Sequence, residues 1–309
     1  MAILFISGSD NPDEWHRALQ KLISNIDLRV WPNVGKRSEV NTALVWKAPH
    51  GALANLPNLS LIQSLGAGID HIFNDPQRPR DVPVARLVDP ELTRQMVEYS
   101  VLAVLSRHRR RDELGRAAAD HLWHVPQPTP FEESRIGVLG LGEIGLAIAQ
   151  KLKSFQFLVA GWSRNLKQVE GITCYEGASG LKSLLHSTDI LICALPLTPA
   201  TKGILNRDTL TLLPKGAYLV NLARGEHVVE SDLLQLIEEE HIAGAFLDVF
   251  QTEPLPKSHP FWKHPSITVT PHLAGLTIAD SAANQVAENI ERIAMGKSPL
   301  NQVDPAQGY

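Results

Sequence analysis

The stretch Ile136-Gly137-Val138-Leu139-Gly140-Leu141-Gly142-Glu143-Ile144-Gly145 decides the fold of this chain. An apolar run ends at its centre, three glycines follow at positions 140, 142 and 145, and an amphipathic helical pattern begins directly after them. The first glycine permits a tight turn, the second lets backbone approach a pyrophosphate, and the third lets the helix pack against a sheet. A plain glycine-rich turn is the alternative. The strand before and the helix after favour dinucleotide binding, with phosphate at the helix N-terminus.

Outward from this stretch, the chain alternates short apolar runs with helical patterns. The apolar runs cover residues 2–6, 42–46, 61–65, 135–139, 157–162, 189–195, 217–222, 242–249 and 266–270. Such runs, bounded by Gly, Pro or polar residues, are typical of buried parallel strands. A long helical pattern over about 90–121 follows Asp89, which can cap it, and a second pattern covers about 280–295. The alternation predicts an α/β fold with parallel sheets and right-handed crossovers.

Composition limits the classes of function. The 309 residues are 44% hydrophobic and carry a formal net charge of -4, which suits two globular domains and gives no electrostatic case for nucleic acid. The basic run 107–111 is predicted to be a solvated helix face. Two cysteines, Cys174 and Cys193, do not make a disulfide framework and favour the reducing cytoplasm. No membrane span, signal peptide or metal site is predicted, and Met1–Ile6 is predicted to form the first strand.

The residue that follows the second strand of the dinucleotide unit is informative about the cofactor. Ser163 lies 18 positions after Gly145, close to where a fold that uses NAD carries an acid for the ribose 2′-OH. A carboxylate there would repel a 2′-phosphate, whereas serine followed by Arg164 can bind one. A solvated arginine at a strand end is the alternative. The pair favours NADPH over NADH.

Three further polar segments follow apolar runs of the same region: Asn221–Gly225, Asp248–Pro254 and Thr270–Gly275. Ligands of parallel α/β sheets bind outside the carboxyl ends of the strands. The sequence therefore predicts that an arginine, a glutamate and a histidine from these segments meet at the edge where the cofactor binds.

The three residue types suit reduction of a ketone by hydride. His272 can donate the proton that the carbonyl oxygen needs, and Glu253 can orient the ring and favour its protonated form. Arg224 offers a planar fork for a substrate carboxylate and can polarise the carbonyl. Taken singly, they have plainer interpretations as a cap, a turn residue and a surface ion pair. Their shared position after strands favours a catalytic set.

Taken together, these motifs resemble those of the D-isomer-specific 2-hydroxyacid dehydrogenase family, in the same order and over nearly the whole chain. The resemblance implies two Rossmann-like, doubly wound parallel-sheet domains. The substrate-binding domain, flavodoxin-like and discontinuous, would comprise 1–98 and 276–309, with the NAD(P)-binding domain 99–275 inserted. The cofactor-binding residues it implies are Gly140, Leu141, Gly142, Glu143, Ile144, Gly145, Ser163, Arg164, Leu195, Pro196, Leu222, Ala223 and Asp248.

Within that family the chain is most similar to the glyoxylate/hydroxypyruvate reductase A subgroup. The segments that carry this similarity are Leu44–Trp46, Leu65–Asp70, Trp162–Arg164, Asn221–Val229 and Gln302–Asp304. The resemblance implies NADPH-dependent reduction of glyoxylate to glycolate and of hydroxypyruvate to D-glycerate. It also implies a homodimer formed through the cofactor domain, for which His121–His124 is a candidate segment.

The substrate side of the predicted site depends more on the resemblance. Small residues at Gly66-Ala67-Gly68 would let backbone N–H groups face a carboxylate, although a structural turn fits equally well without the resemblance. Trp46 is a candidate wall for a small pocket, with a buried core tryptophan as the alternative. Lys47 would face either substrate or solvent. With the resemblance, these residues join Arg224 and His272 as predicted substrate contacts.

Two other functions remain open. The first is a dehydrogenase of the same fold for another acid, such as phosphoglycerate, formate or a bulky 2-oxo acid. The second is a non-catalytic regulator that senses dinucleotides, although the intact arginine, glutamate and histidine argue against it. An assay of NADPH oxidation with glyoxylate distinguishes the reductase from the regulator.

Overall fold

The computed structural model describes residues 2–304, and within them the chain forms two compact units. One unit comprises the residues up to Leu92 and those from Leu276 onward, and the other is Thr93–Gly275. The second unit is thus inserted in the first. The chain first passes from one unit to the other after Leu92, whereas the predicted domain boundary lay between residues 98 and 99. Met1 and residues 305–309, which the predicted domain included, lie outside the described residues.

The first unit is built on a five-stranded parallel sheet. Its strands are β1 (Ala2–Ser7), β2 (Asp27–Val30), β3 (Val40–Trp46), β4 (Leu61–Ser64) and β5 (Val84–Ala85), in the order β2-β1-β3-β4-β5. Its helices are α1 (Pro12–Gln20), α2 (Asp70–Phe73) and α9 (Ala279–Ala294). This strand order is the flavodoxin-like one.

The C-terminal helix completes the core of this first unit. Ile3 and Phe5 of β1 pack in one cluster with Trp15 of α1 and with Ala282 and Val286 of α9. Their neighbours in the strand face the opposite core, because successive side chains of a strand alternate between the two faces. Both faces of the sheet are therefore buried. One of them packs against α9, which lies near the end of the described chain.

A buried hydrogen bond joins the same helix to the sheet. Asn289 of α9 is fully buried and donates from Nδ2 to Oε1 of Gln63 in β4, at 2.8 Å. Its Oδ1 accepts the backbone N–H of Leu300 at 2.6 Å. The helix and the segment that follows it are thus held to the central strands by polar as well as apolar contacts.

The second unit is built on a seven-stranded parallel sheet. Its strands are β6 (Arg135–Leu139), β7 (Leu158–Ser163), β8 (Thr173–Glu176), β9 (Ile190–Cys193), β10 (Ala217–Asn221), β11 (Ile242–Leu247) and β12 (Ile267–Val269). Their order is β12-β11-β10-β9-β6-β7-β8, and the order reverses between β6 and β9. Dinucleotides bind at such a switch point in Rossmann folds. The predicted fold class is confirmed.

The helices of this unit are α3 (Pro90–His108), which begins in the first unit, α4 (Arg111–Ala119), α5 (Glu143–Ser154), α6 (Gly177–His186), α7 (Arg207–Leu210) and α8 (Glu230–Glu238). Asp89 caps α3 as predicted, since its carboxylate accepts the N–H of Leu92 at 3.1 Å. Among the described residues, no helix combines the length and the apolar character needed to cross a membrane.

One prediction about this region was wrong, and a second was confirmed only in part. The helix predicted over 90–121 is broken, because Arg110 adopts a left-handed conformation with φ 55 and separates α3 from α4. The basic run is not uniformly a solvated face either. The guanidinium of Arg107 lies 5.3 Å from the ring centroid of Tyr218, donates to the carbonyl of Gly216, and has its pKa lowered mainly by burial.

Candidate active site

Two glycines of the dinucleotide motif are required by the packing of the chain itself. Gly140 has φ 95, and a Cβ on it would lie 2.7 Å from the carbonyl oxygen of Ala194. A Cβ on Gly145, in the first turn of α5, would overlap the carbonyl oxygen of Gly140. Strand β6 and helix α5 can therefore approach this closely only because both positions lack a side chain.

Gly142 differs from these two glycines. It precedes α5 with φ −74, a conformation open to any residue, and a Cβ on it would meet no atom within 4 Å. The protein packing thus gives no reason for a glycine here. The exposed backbone of Gly142 and Glu143 at a helix N-terminus fits a pyrophosphate that must come close to the main chain.

The other predicted cofactor residues lie at the carboxyl ends of four adjacent strands. Leu141 follows β6, Ser163 ends β7, Leu195 follows β9 and Leu222 follows β10. The Ser163 hydroxyl donates to the carbonyl of Asn165 at 2.7 Å, so it is part of the turn that carries Arg164. Ile144 lies in the first turn of α5, and Pro196 and Ala223 lie in the loops after β9 and β10.

His272 and Glu253 are in direct contact. Nδ1 of His272 lies 2.8 Å from Oε2 and 3.0 Å from Oε1 of Glu253, and both side chains remain about a quarter exposed. An ionised carboxylate only accepts hydrogen bonds, so Nδ1 carries a hydrogen and Nε2 is the ring nitrogen presented to other groups. Oε1 of Glu253 also accepts the N–H of Phe250 at 3.2 Å, which orients the carboxylate.

Asp248 holds the turn that carries His272. His272 has a left-handed backbone, with φ 52, and donates its N–H to the carbonyl of Asp248 at 2.8 Å. The buried Asp248 carboxylate accepts from the Thr270 hydroxyl and from the N–H groups of Leu273 and Ala274, at 2.7, 3.0 and 2.9 Å. Burial raises the pKa of Asp248, and these hydrogen bonds oppose that rise. The sequence placed Asp248 with the cofactor and missed this role.

Arg224 lies in a tightly constrained loop after β10. Asn221 accepts the N–H of Ala223 with Oδ1 and donates Nδ2 to the carbonyl of Arg224, at 3.2 and 2.8 Å. A Cβ on Gly225 would overlap the carbonyl of Phe250, so this loop rests against the loop that carries Glu253. Asn221 and Gly225 thus position Arg224. In the sequence, the polar character of Asn221 and the small size of Gly225 were the only signals of this positioning role.

The predicted substrate residues of the first unit form a turn of their own. The rings of Trp46 and His71 pack edge to face, with centroids 4.7 Å apart, and a Cβ on Gly66 would lie 2.5 Å from the Trp46 ring. Lys47 has φ 47 and donates its N–H to Nδ1 of His71 at 3.2 Å. His71 packs against both residues, a role for which the sequence carries no signal.

A serine of β4 organises the segment Gly66-Ala67-Gly68. The N–H of Gly66 donates to Oγ of Ser64 at 3.2 Å, and the Ser64 hydroxyl donates to the carbonyl of Gly68 at 2.8 Å. One of the N–H groups predicted to face a carboxylate is therefore directed at Ser64. Substrate contact by this segment stays a prediction.

Comparison with known proteins relates this geometry to a family. A model of the D-isomer specific 2-hydroxyacid dehydrogenase NAD binding domain matches residues 101–274. Glyoxylate/hydroxypyruvate reductase A of Serratia proteamaculans is 41% identical over 314 residues, covering 100% of both chains. The protein of the same description from Yersinia enterocolitica is 39% identical, again over the full length of both.

Solved structures agree with these sequence matches. A D-isomer specific 2-hydroxyacid dehydrogenase from Xanthobacter autotrophicus Py2, in complex with NADPH and MES, superposes with a TM-score of 0.96 at 42% identity, covering 100% of this chain and 99% of that one. An NADPH-dependent glyoxylate/hydroxypyruvate reductase from Sinorhizobium meliloti, in complex with NADP and sulfate, has a TM-score of 0.93 at 31% identity and covers 100% of both chains.

Proposed function

The chain belongs to the D-isomer specific 2-hydroxyacid dehydrogenase family, and from this premise we propose that it reduces glyoxylate and hydroxypyruvate with NADPH. The single observation that carries the proposal is the His272–Glu253 pair, which lies next to the Arg224 loop at the strand ends of a dinucleotide fold. Full-length relatives described as glyoxylate/hydroxypyruvate reductase A support the choice of substrates.

NADPH is the proposed cofactor because the 2′ position of the fold carries Ser163 and Arg164 instead of an acid. The related structures that contain NADPH or NADP support this choice. Gly142 and the N-terminus of α5 would hold the pyrophosphate, while the loops after β9, β10 and β11 would line the nicotinamide side. When bound, NADPH supplies the hydride that reduces the carbonyl carbon.

His272 is the proposed proton donor. Hydride addition to the carbonyl carbon leaves negative charge on the oxygen, and Nε2 of a protonated His272 would supply the proton that turns it into a hydroxyl. Glu253 holds Nδ1, so the ring can lose its Nε2 proton without turning. In the reverse direction the neutral ring would take the same proton from a 2-hydroxy acid.

Arg224 is the proposed substrate clamp. Its guanidinium would bind the substrate carboxylate and polarise the carbonyl, which stabilises charge that develops on the oxygen. Trp46, Lys47, Gly66, Ala67 and Gly68 stay proposed substrate contacts of the first unit.

A homodimer through the cofactor domain and a cytoplasmic location are part of the proposal. Three apolar side chains stand exposed after α4, namely Leu122 at 63%, Trp123 at 97% and Val125 at 74%. Exposed apolar side chains this close together are typical of a protein interface. The free cysteines Cys174 and Cys193 suit a reducing compartment. Light scattering on the purified protein and on Trp123→Glu tests the dimer.

The proposed activity is tested with purified protein and a panel of 2-oxo acids, each assayed with NADPH and with NADH. We expect the highest kcat/KM with glyoxylate or hydroxypyruvate and NADPH. A higher kcat/KM with a bulky 2-oxo acid would identify a different dehydrogenase of the family. Tight NADPH binding without turnover of any acid would instead favour a dinucleotide-sensing regulator.

A further inference from the structure

His227 is a buried, titratable side chain in the second unit that the mechanism above does not use. It is the last residue of the short 3-10 turn Gly225–His227, and this turn directly follows Arg224. The side chain of His227 is completely buried. A buried imidazole requires hydrogen-bond partners for its ring nitrogens. The identity of those partners determines which protonation state the fold accommodates.

Both ring nitrogens of His227 face backbone carbonyl oxygens. Nδ1 lies 3.1 Å from the carbonyl oxygen of Arg224, and Nε2 lies 3.3 Å from the carbonyl oxygen of Pro196. A carbonyl oxygen accepts hydrogen bonds and cannot donate them, and a neutral imidazole has a single N–H. Both hydrogen bonds therefore form only when the ring is an imidazolium with two N–H groups.

The surroundings of His227 favour that charged form. Burial alone would lower the pKa of His227, but attraction to the Cys193 sulfur, a hydrogen bond to it and the two carbonyl oxygens outweigh burial and raise the pKa above its ordinary value. Cys193 of β9 is the titratable group that faces the ring from another element. The segment at Leu205 contributes a backbone N–H to the His227 carbonyl, and Glu226 is the adjacent charged residue.

The two carbonyls belong to two different loops of the proposed site. Pro196 lies in the loop after β9, which is predicted to line the cofactor, and Arg224 lies in the loop after β10. We propose that His227, as an imidazolium, is a positioning residue that clamps these two loops together. When the ring loses its proton, one carbonyl faces a nitrogen lone pair, so the ring can hold only one of the two loops.

The protonation of His227 can be measured without any assay of activity. The full-length protein is labelled with ¹⁵N-histidine, and the signal of His227 among the twelve histidines is assigned by its absence in His227→Gln. At about pH 7.5, one unit above the ordinary histidine pKa, we expect both nitrogens of this ring to carry protons. A ring with one protonated nitrogen at that pH would overturn the proposal.

The positioning role predicts a kinetic effect, and this prediction rests on the proposed function. The prediction about the protonation state of His227 does not rest on it. In His227→Gln we expect KM for the 2-oxo acid to rise between about tenfold and 10²-fold, as for a catalytic loop displaced by about an ångström. The control is His186→Gln, since His186 is exposed on α6.

A pH profile separates positioning from a merely structural role. We expect the alkaline limb of log kcat/KM to be less steep in His227→Gln, because glutamine does not titrate, and to move to lower pH in Cys193→Ala. An unchanged limb in both variants would overturn the positioning role. A wild-type protein with no reductase activity would contradict the proposed function, and the nitrogen signals would still decide whether His227 is protonated.

Discussion

Oε2 of Glu253 lies 2.8 Å from Nδ1 of His272, which leaves Nε2 as the ring nitrogen that can exchange a proton with substrate. Replacing Glu253 with Gln puts an amide in the same place, and an amide can donate to Nδ1 and favour the wrong tautomer. In the serine protease triad, the comparable change costs about 10⁴-fold in kcat. We expect Glu253→Gln to lower kcat for glyoxylate by about 10²-fold to 10⁴-fold.

The measurement is steady-state NADPH oxidation, with NADPH deuterated at the transferred position to report hydride transfer. Glu238→Gln is the matched control, since Glu238 ends α8 with an exposed side chain. Full turnover in Glu253→Gln, together with a clear isotope effect, would mean that Glu253 does not set the tautomer of His272.

Removal of the Arg224 guanidinium should separate catalysis from cofactor binding. We expect Arg224→Ala to lose about 10³-fold or more in kcat/KM, because one side chain supplies both the carboxylate clamp and the polarisation of the carbonyl. NADPH affinity, measured by fluorescence titration, should stay within about twofold of the wild-type value. Arg17→Ala, on the exposed face of α1, serves as the control. Unchanged turnover would remove Arg224 from the site.

A carboxylate at the end of β7 should shift the cofactor preference toward NADH. We expect Ser163→Asp to lower the ratio of kcat/KM with NADPH to that with NADH by about tenfold or more, because like charges repel when an acid faces the 2′-phosphate. Ser163→Ala is the control, since it removes only the hydroxyl that donates to the carbonyl of Asn165. A ratio that stays constant in Ser163→Asp would place the 2′ pocket elsewhere.

Two glycines of the same motif should respond differently to one added methyl group. In Gly145→Ala the new Cβ would overlap the Gly140 carbonyl oxygen, so we expect a loss of about 1–3 kcal/mol or more of folding free energy. In Gly142→Ala the Cβ meets no protein atom within 4 Å, so Tm should be unchanged while NADPH affinity falls. Calorimetry and fluorescence titration measure the two effects. Normal NADPH affinity in Gly142→Ala would contradict phosphate binding there.

Stability at mildly acidic pH should depend on His108. Burial, and then the neighbouring Arg109, lower its pKa below the ordinary value of about 6.5, while the ring stacks on Phe131 and contacts the Ser134 hydroxyl. The folded state thus binds this proton less well than the unfolded state, so the stabilisation is present above about pH 6.5 and is lost as pH falls through the folded-state pKa. We expect Tm between about pH 7.5 and 5.5 to fall further in the wild type than in His108→Gln. Equal falls would contradict the pKa shift.

The sequence predicted the central strands and one edge strand, β12, and missed the other three edge strands. All nine apolar runs overlap observed strands, and eight of these are central strands, which are apolar because they are buried on both faces. The three strands that were missed, β2, β5 and β8, all lie at sheet edges and are short, and β2 and β8 carry charged or polar residues. The break between α3 and α4 occurs at Arg110, which has a left-handed backbone conformation. No residue pattern in the sequence predicts that conformation.

In the candidate site, too, the sequence predicted some features and missed others. The contact between Glu253 and His272 followed from one rule, that polar residues after neighbouring parallel strands share an edge. The hydrogen bonds that hold those residues did not follow, because they depend on tertiary proximity. The cofactor contact expected of Asp248 stays a prediction, and its hydrogen bonds to three groups of the His272 turn were not expected. His227 has no place in any periodic pattern.

The discontinuity of the first unit has a consequence for synthesis on the ribosome. Strands β1 to β5 emerge first, but α9, which covers Ile3 and Phe5 on one face of their sheet, emerges only after the whole inserted unit. At about 5–20 residues per second, the ribosome needs roughly ten to forty seconds to make the insertion. During that interval the inserted unit, which is continuous in the chain, can fold by itself, while α1 alone covers this face of the first sheet and leaves the part under α9 open to chaperones. The first unit is therefore the last to become native.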